Sequence, residues 1–303
     1  MSEREGQAQE AFDRLSKDML LSRLNVLLES THEIAYSTVS QHYHGLPANG
    51  SRMAADVREV SDEAVAEVEK VCGAWHVVAA ECLGAVASAH RDGRILFAPG
   101  PLFRTVIEHT ARIGWILDGS TARSRAARAW LAEVVGNGQD AKTHDNRGSP
   151  VLTLAGARER LEELSERTLP RMLGESPDRS KRDPDAWTLL DQEWGHYTKL
   201  VDDFFRNCVN DRWGPATSGT VQYRVATMFA HPSVTANYAQ ASVSDSGVAW
   251  FTWDWSLVRT RSGVALACFE SATRALYDYL RWDPPAFRAW TAHLGRFVTD
   301  TQR

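Results

Sequence analysis

The segment FRTVIEHTARIGWILD, Phe103 to Asp118, sets Arg104, Glu108 and Arg112 at successive four-residue steps. At about 100° per helical residue these side chains drift by only about 40° from one to the next, so they share one stripe. Two guanidiniums can hold a carboxylate or phosphate through paired N–H donors. A carboxylate between them can move a proton. A solvated helix face carries the same pattern, with ion pairs contributing about 0.2–0.5 kcal/mol each. Phe103, Val106, Ile107, Ile113, Gly114 and Leu117 fall on the opposite arc and need a core. Trp115 separates the two readings, because it lies inside the charged stripe, flanked by His109 and Ile116. An indole there calls for cover, and cover encloses the charges as well, which then need partners or a ligand. The expectation is an enclosed polar space faced by Arg104, Glu108, Arg112 and Trp115. Arg125, between Arg123 and Arg128 on the following segment, adds a guanidinium near Asp118 and a third candidate for holding an anion.

A second constellation lies in YRVATMFAHP, Tyr223 to Pro232. Arg224 and His231 are seven residues apart, two turns along one helix face. Pro232 disfavours helix at His231, which places the imidazole at the negative helix end, where its protonated form suits a general acid. Arg224, six residues, then His231 resembles the active-site motif of HEPN-type ribonucleases. The charged segment ending in WILD likewise resembles uncharacterised actinobacterial all-helical proteins loosely related to that group. The resemblance spans about two helices. It implies metal-independent RNA cleavage by Arg224 and His231 across a homodimer interface. Val225 stands where that family favours a polar residue.

Other motifs carry less. His42-Tyr43-His44 has no acidic or histidine partners at ligand spacing, and Trp194-Gly195-His196 before Asp202 and Asp203 lacks the repeats of a di-iron bundle. No phosphate-binding glycine loop, GxSxG elbow or HExxH occurs. Cys72, Cys82, Cys208 and Cys268 are too scattered for a zinc framework or a disulfide scaffold. No metal and no cofactor is therefore expected. The VAWFTWDW stretch offers Trp250, Trp253 and Trp255 as pocket walls.

The elements that must position these groups are helical. Apolar spacing predicts helices over about 8–30, 62–90, 101–118, 121–135, 151–173, 187–193, 197–210, 220–230, 256–282 and 285–299. Residues 136–150 and 174–186 read as flexible loops, rich in Gly, Pro and charge, and 248–255 is the one β-like piece. No internal repeat or strand–helix alternation appears. The expectation is an all-α protein, a single elaborated helical bundle over residues 1–303.

Composition limits function. A net charge of −5 and a pI near 6.1 argue against non-specific coating of nucleic acid. Among 34 basic residues only five are lysines, which suits recognition of anions by guanidinium forks. The N-terminus lacks a charged and apolar leader, and no purely apolar run of membrane-spanning length stands out, so a cytosolic protein is expected. The leading reading is a metal-independent transferase or hydrolase acting on an anionic small molecule or an RNA-linked substrate. Arg104, Arg112 and Arg125 would hold the anion, Glu108 or His231 would move a proton, and Trp115 and Trp253 would wall the pocket. The rivals are a HEPN-like endoribonuclease and a non-catalytic helical interaction protein.

Overall fold

The computed structural model describes residues 3–42, 48–92, 99–144, 154–181, 186–214, 219–230, 241–243, 249–251 and 255–300. Helices begin where a capping residue meets a run of apolar spacing. Ser51 accepts from the Ala54 amide at 3.0 Å and starts α2, Arg52–Glu59. Ser61 accepts from the Ala64 amide at 3.2 Å and starts α3, Asp62–Asp92, with Asp62 and Glu63 at its positive end. Helix α1 precedes them over Glu3–His42. Pro99 and Pro101 sit in the first turn of α4, Pro99–Leu117, and α5 follows over Ala122–His144.

Helix α6, Leu154–Glu163, passes through a π-turn at Leu164–Thr168 into α7, Leu169–Leu173. Strands β1, Thr188–Leu189, and β2, Gln192–Glu193, then form an antiparallel hairpin. Helix α8, Tyr197–Phe204, passes through a second π-turn at Phe205–Val209 into α9, Asn210–Trp213. After α10, Gly219–Ala230, a second hairpin pairs β3, Ala241–Val243, with β4, Ala249–Phe251. Helices α11, Trp255–Leu280, and α12, Pro285–Asp300, close the described chain.

The protein is all-α, with strand confined to the two hairpins among the described residues. Three buried clusters make the core. One joins α3, α4, α8, α10 and α11 around Ile113, Ile116, Phe204, Phe205 and Tyr279. Another joins α1, α3, α11 and α12 around Leu24, Leu28, Leu83, Phe269 and Phe297. The third packs α5 against α6, α7 and the first hairpin around Trp130, Leu131, Leu164 and Trp187. Helix α3 is long and apolar enough by length and composition to cross a membrane, with a mean hydropathy of 1.4 over its best window. Here that apolar surface packs against α1 and α4.

Several boundaries differ from the sequence expectation. Helix α1 runs past Ser30 to His42, and α2 was not expected at all. Helix α5 continues to His144, through the first part of the expected loop at 136–150; the rest of that loop lies outside the described residues. A helical glycine such as Gly136 costs about 1 kcal/mol, and the buried Val134 and Val135 just before it anchor the helix. The expected helix at Trp187–Glu193 is the first hairpin instead. Leu190 and Asp191 take left-handed φ of 50° and 59°, which turns the chain back after two residues of strand. The preceding loop is tied to that hairpin: the Asp178 amide donates to Thr188 O at 2.7 Å, and Trp187 Nε1 donates to Lys181 O at 2.9 Å. Residues 182–185 of the expected loop at 174–186 lie outside the described residues.

Candidate functional site

The stripe on α4 is covered. Its apolar arc packs on α3 and α11, and α8 and α10 close over the charged side. Gly114 makes the close approach of α8 possible, since a Cβ there would lie 2.5 Å from the Phe204 ring. Arg104 Nε donates to Glu108 Oε1 at 2.8 Å. Tyr223 of α10 donates its hydroxyl to the same oxygen at 2.6 Å and accepts from Arg104 Nη2 at 3.3 Å. Burial and the Glu108 carboxylate push the Tyr223 phenol up to about 12, so it remains a donor at neutral pH.

Arg112 is held differently. It is 9% exposed, and no carboxylate or carbonyl oxygen among the described residues bonds it. Its Nε is buried without a partner. Three rings surround its guanidinium instead: Tyr197 at 4.3 Å, Trp194 at 5.1 Å and Trp75 at 5.4 Å from centroid to Cζ. Burial pulls its pKa down to about 10, against the opposing fields of Glu108 and Tyr223. Each cation–π contact stabilises by about 0.5–2 kcal/mol, which leaves part of the cost of a buried cation uncompensated.

His109, one residue along from Glu108, stands edge-on to Trp75 at 6.2 Å. Its Nδ1 lies 2.9 Å from Thr105 O, and a carbonyl only accepts, so Nδ1 carries the proton. Nε2 therefore presents a lone pair. Burial, and then the neighbouring Arg112, lower the pKa of this imidazole, which is neutral near pH 7.

The contacts continue from Arg112 through Trp194 to Trp115, whose rings meet edge to face at 5.5 Å. Trp115 lines a cavity of about 260 Å³, together with Asp118, Arg128, Gln192, Lys199 and Asp203. Burial, with Asp118 and Asp211, raises the Cys208 thiol on the same wall to about 11, so it is no thiolate nucleophile.

The structure thus brings Arg104, Glu108, Arg112 and Trp115 to one covered face. It does not bring Arg125 there. The Arg125 guanidinium is bidentate to Asp56 of α2, with Nε at 2.7 Å, and a third donor reaches Gly119 O. Arg52 donates to Leu117 O at 3.0 Å and Gly119 O at 2.8 Å, and Arg128 donates to Trp115 O. These three arginines satisfy the open carbonyls at the negative end of α4, where cations are favoured. Of the arginines expected to seat an anion on α5, Arg125 and Arg128 cap α4 instead, and Arg123 donates to Leu173 O at 2.8 Å.

Arg224 is exposed on α10, one residue and so about 100° around from Tyr223, which faces Glu108. His231 and Trp253 lie outside the described residues. Trp75, Trp194, Tyr197 and Tyr223 were not singled out from sequence as partners of the stripe. Among the described residues no group of three His, Cys, Asp or Glu side chains could hold a metal ion. No known protein family, curated protein or solved structure matches this chain.

Proposed function

We propose that this protein is an enzyme that binds an anionic substrate at Arg112 and transfers a proton on it, in group transfer or hydrolysis without a metal. The observation that carries this reading is the Arg112 guanidinium, ringed by three aromatics with no oxygen bonded to it among the described residues. A buried cation without an anion is costly, and a substrate carboxylate or phosphate supplies what the protein leaves out. The proton-transfer groups stand beside it. His109 Nε2 is an unprotonated base, and Glu108 is a carboxylate held in place by the Tyr223 hydroxyl. Arg104 holds Glu108 in place. In this reading the enzyme works in the cytosol, on a free anionic metabolite or an RNA-linked one.

Thermal melting with a panel of anions tests it: inorganic phosphate, small carboxylates, nucleotides and a short RNA. Any ligand bound only by the folded state raises the melting temperature in proportion to log concentration once it exceeds Kd. The expected result is stabilisation by at least one class, lost in Arg112→Met, which fills the aromatic box without charge. His109→Gln should keep the binding and lose turnover, and turnover should persist in chelator. If every anion leaves the melting curve unmoved, or stabilises Arg112→Met equally, Arg112 is a structural cation and the reading fails.

A further inference from the structure

Beside the Arg112 guanidinium lies the start of a helix. Tyr197, whose ring centroid is 4.3 Å from the Arg112 Cζ, is the first residue of α8. That helix begins at His196 without a side-chain cap, and no acidic residue stands in its first turn. His196 O accepts from the Lys199 and Leu200 amides at 2.9 and 3.1 Å, whereas the amides of Tyr197 and Thr198 have no partner among the described residues. Thr198 is exposed and uncharged, and Lys199 faces the neighbouring cavity with Glu193 and Asp203.

Open amides are common to all helix starts and are ordinarily met by water or a cap. The neighbour is what sets this one apart. A helix N-terminus carries about half a positive charge. Here it adjoins a cation that is 9% exposed, with its Nε buried and unpartnered. Two positive poles repel unless an anion joins them. Glu108, the carboxylate one turn from Arg112, is held by Arg104 and Tyr223 instead.

An anion at this junction meets N–H donors from two directions, the guanidinium edge and the backbone of α8. A carboxylate has its oxygens in one plane and a single charge. A terminal phosphate spreads its oxygens over a tetrahedron and carries about −1.5 to −2 charge near neutral pH. We propose that Arg112 and the N-terminus of α8 together seat the terminal phosphate of a phosphate monoester, whose oxygens accept from the guanidinium edge and from the Tyr197 and Thr198 amides. This rests on the anion site proposed above and narrows its substrate to dianionic, tetrahedral headgroups, in place of carboxylates or the monoanionic diesters of an RNA backbone.

Calorimetric titration near pH 8 at fixed ionic strength, with inorganic phosphate, dimethyl phosphate and acetate, tests it. Inorganic phosphate stands for the monoester headgroup and dimethyl phosphate for the diester. Phosphate should bind at least about tenfold more tightly than the other two, and Arg112→Met should lose it. Thr198→Asp sets a carboxylate on the open end of α8; phosphate affinity should fall about tenfold or more, while the phosphate-free melting temperature holds or rises. Thr198→Asn, the uncharged isostere of that aspartate, should keep phosphate affinity within about threefold. The α8 seat is overturned by acetate or dimethyl phosphate binding as tightly as phosphate, or by no phosphate binding up to ~100 mM. It is also overturned if Thr198→Asp keeps full phosphate affinity or melts lower without phosphate, or if Thr198→Asn loses as much affinity as Thr198→Asp. Should one of these occur while Arg112→Met still abolishes the binding of some anion, the Arg112 site stands and only its α8 half fails.

Discussion

Asp56→Asn separates a structural role for Arg125 from a substrate-binding one. Both side chains are 4% exposed, and Asp56 also accepts from the Tyr279 hydroxyl at 3.1 Å. The substitution removes the charge opposite a buried guanidinium and puts an amide N–H₂ against its donors. Breaking a buried pair from one side costs about 3–5 kcal/mol, because the remaining charge is left in a poor dielectric. For a chain of this size each kcal/mol lowers the melting temperature by roughly 2–4 °C, which makes the expected drop roughly 6–20 °C. Circular dichroism melting measures it. The exposed pair of Arg171 and Glu63 is the control, since Glu63→Gln should cost under about 1 kcal/mol. Replacing both partners, Asp56→Leu with Arg125→Met, removes both desolvation costs and should recover most of the loss. Anion-dependent stabilisation should survive in that double variant. A melting shift within about 2 °C for Asp56→Asn, or loss of anion binding in the folded double variant, would return Arg125 to the substrate site and refute the helix-cap role.

Three further outcomes are expected. Glu108→Gln should bring the Tyr223 phenol down from about 12, though not to its ordinary value because burial remains; ultraviolet titration near 295 nm reads this, and an unmoved midpoint would mean that the 2.6 Å bond has no energetic weight. Burial first, then Glu133, raises Glu67 to about 7, so its contribution is complete below its ordinary pKa and is lost as pH rises through about 7. The native chain should therefore lose melting temperature relative to Glu67→Gln between about pH 5 and pH 8; parallel profiles would contradict this. Gly114→Ala sets a methyl against the Phe204 ring and should cost about 1–3 kcal/mol by forcing α8 from α4, whereas unchanged melting would mean that the ring moves aside freely.

The parts of this structure that sequence made legible are those governed by neighbours in the chain. Ser61 announced α3, the Pro99–Pro101 pair announced α4, and Asp118–Gly119 ended it, because capping and turn chemistry act within a few residues. Trp115 called for cover over the α4 stripe, and the structure buries Arg112 there while Arg104, Glu108 and Trp115 stay part-buried. What escaped notice depends on distant contacts. Arg125 finds Asp56 69 residues back, and Glu108 finds Tyr223 115 residues on, pairings that no periodicity encodes. The hairpin at Thr188–Glu193 was hidden for another reason: a leucine and an aspartate adopt the left-handed turn, where a glycine or asparagine would have signalled it.

The abundance of tryptophan takes on a specific meaning once those distant contacts are known. Eleven indoles could have been core filler, and Trp187 and Trp290 are just that. Trp75, Trp115 and Trp194 instead converge from α3, α4 and the segment after the first hairpin on two guanidiniums, Arg112 and Arg128. Arg128 also finds oxygen partners, in Gln192 at 2.8 Å and Trp115 O. Arg112 finds none among the described residues, although Glu108 lies one helical turn away and could have served it. Tyr223 and Arg104 take that carboxylate. The stripe therefore divides its labour, with a bonded triad of Arg104, Glu108 and Tyr223 beside a cation ringed by three aromatics, whose Nε has no partner among the described residues. A guanidinium ringed by aromatics still bonds through the N–H donors of its edge, the geometry that a planar or tetrahedral oxyanion meets best. A purely structural arginine would be expected to take the nearest carboxylate, and the diversion of Glu108 to Tyr223 is what leaves the edge of Arg112 open to an oxyanion.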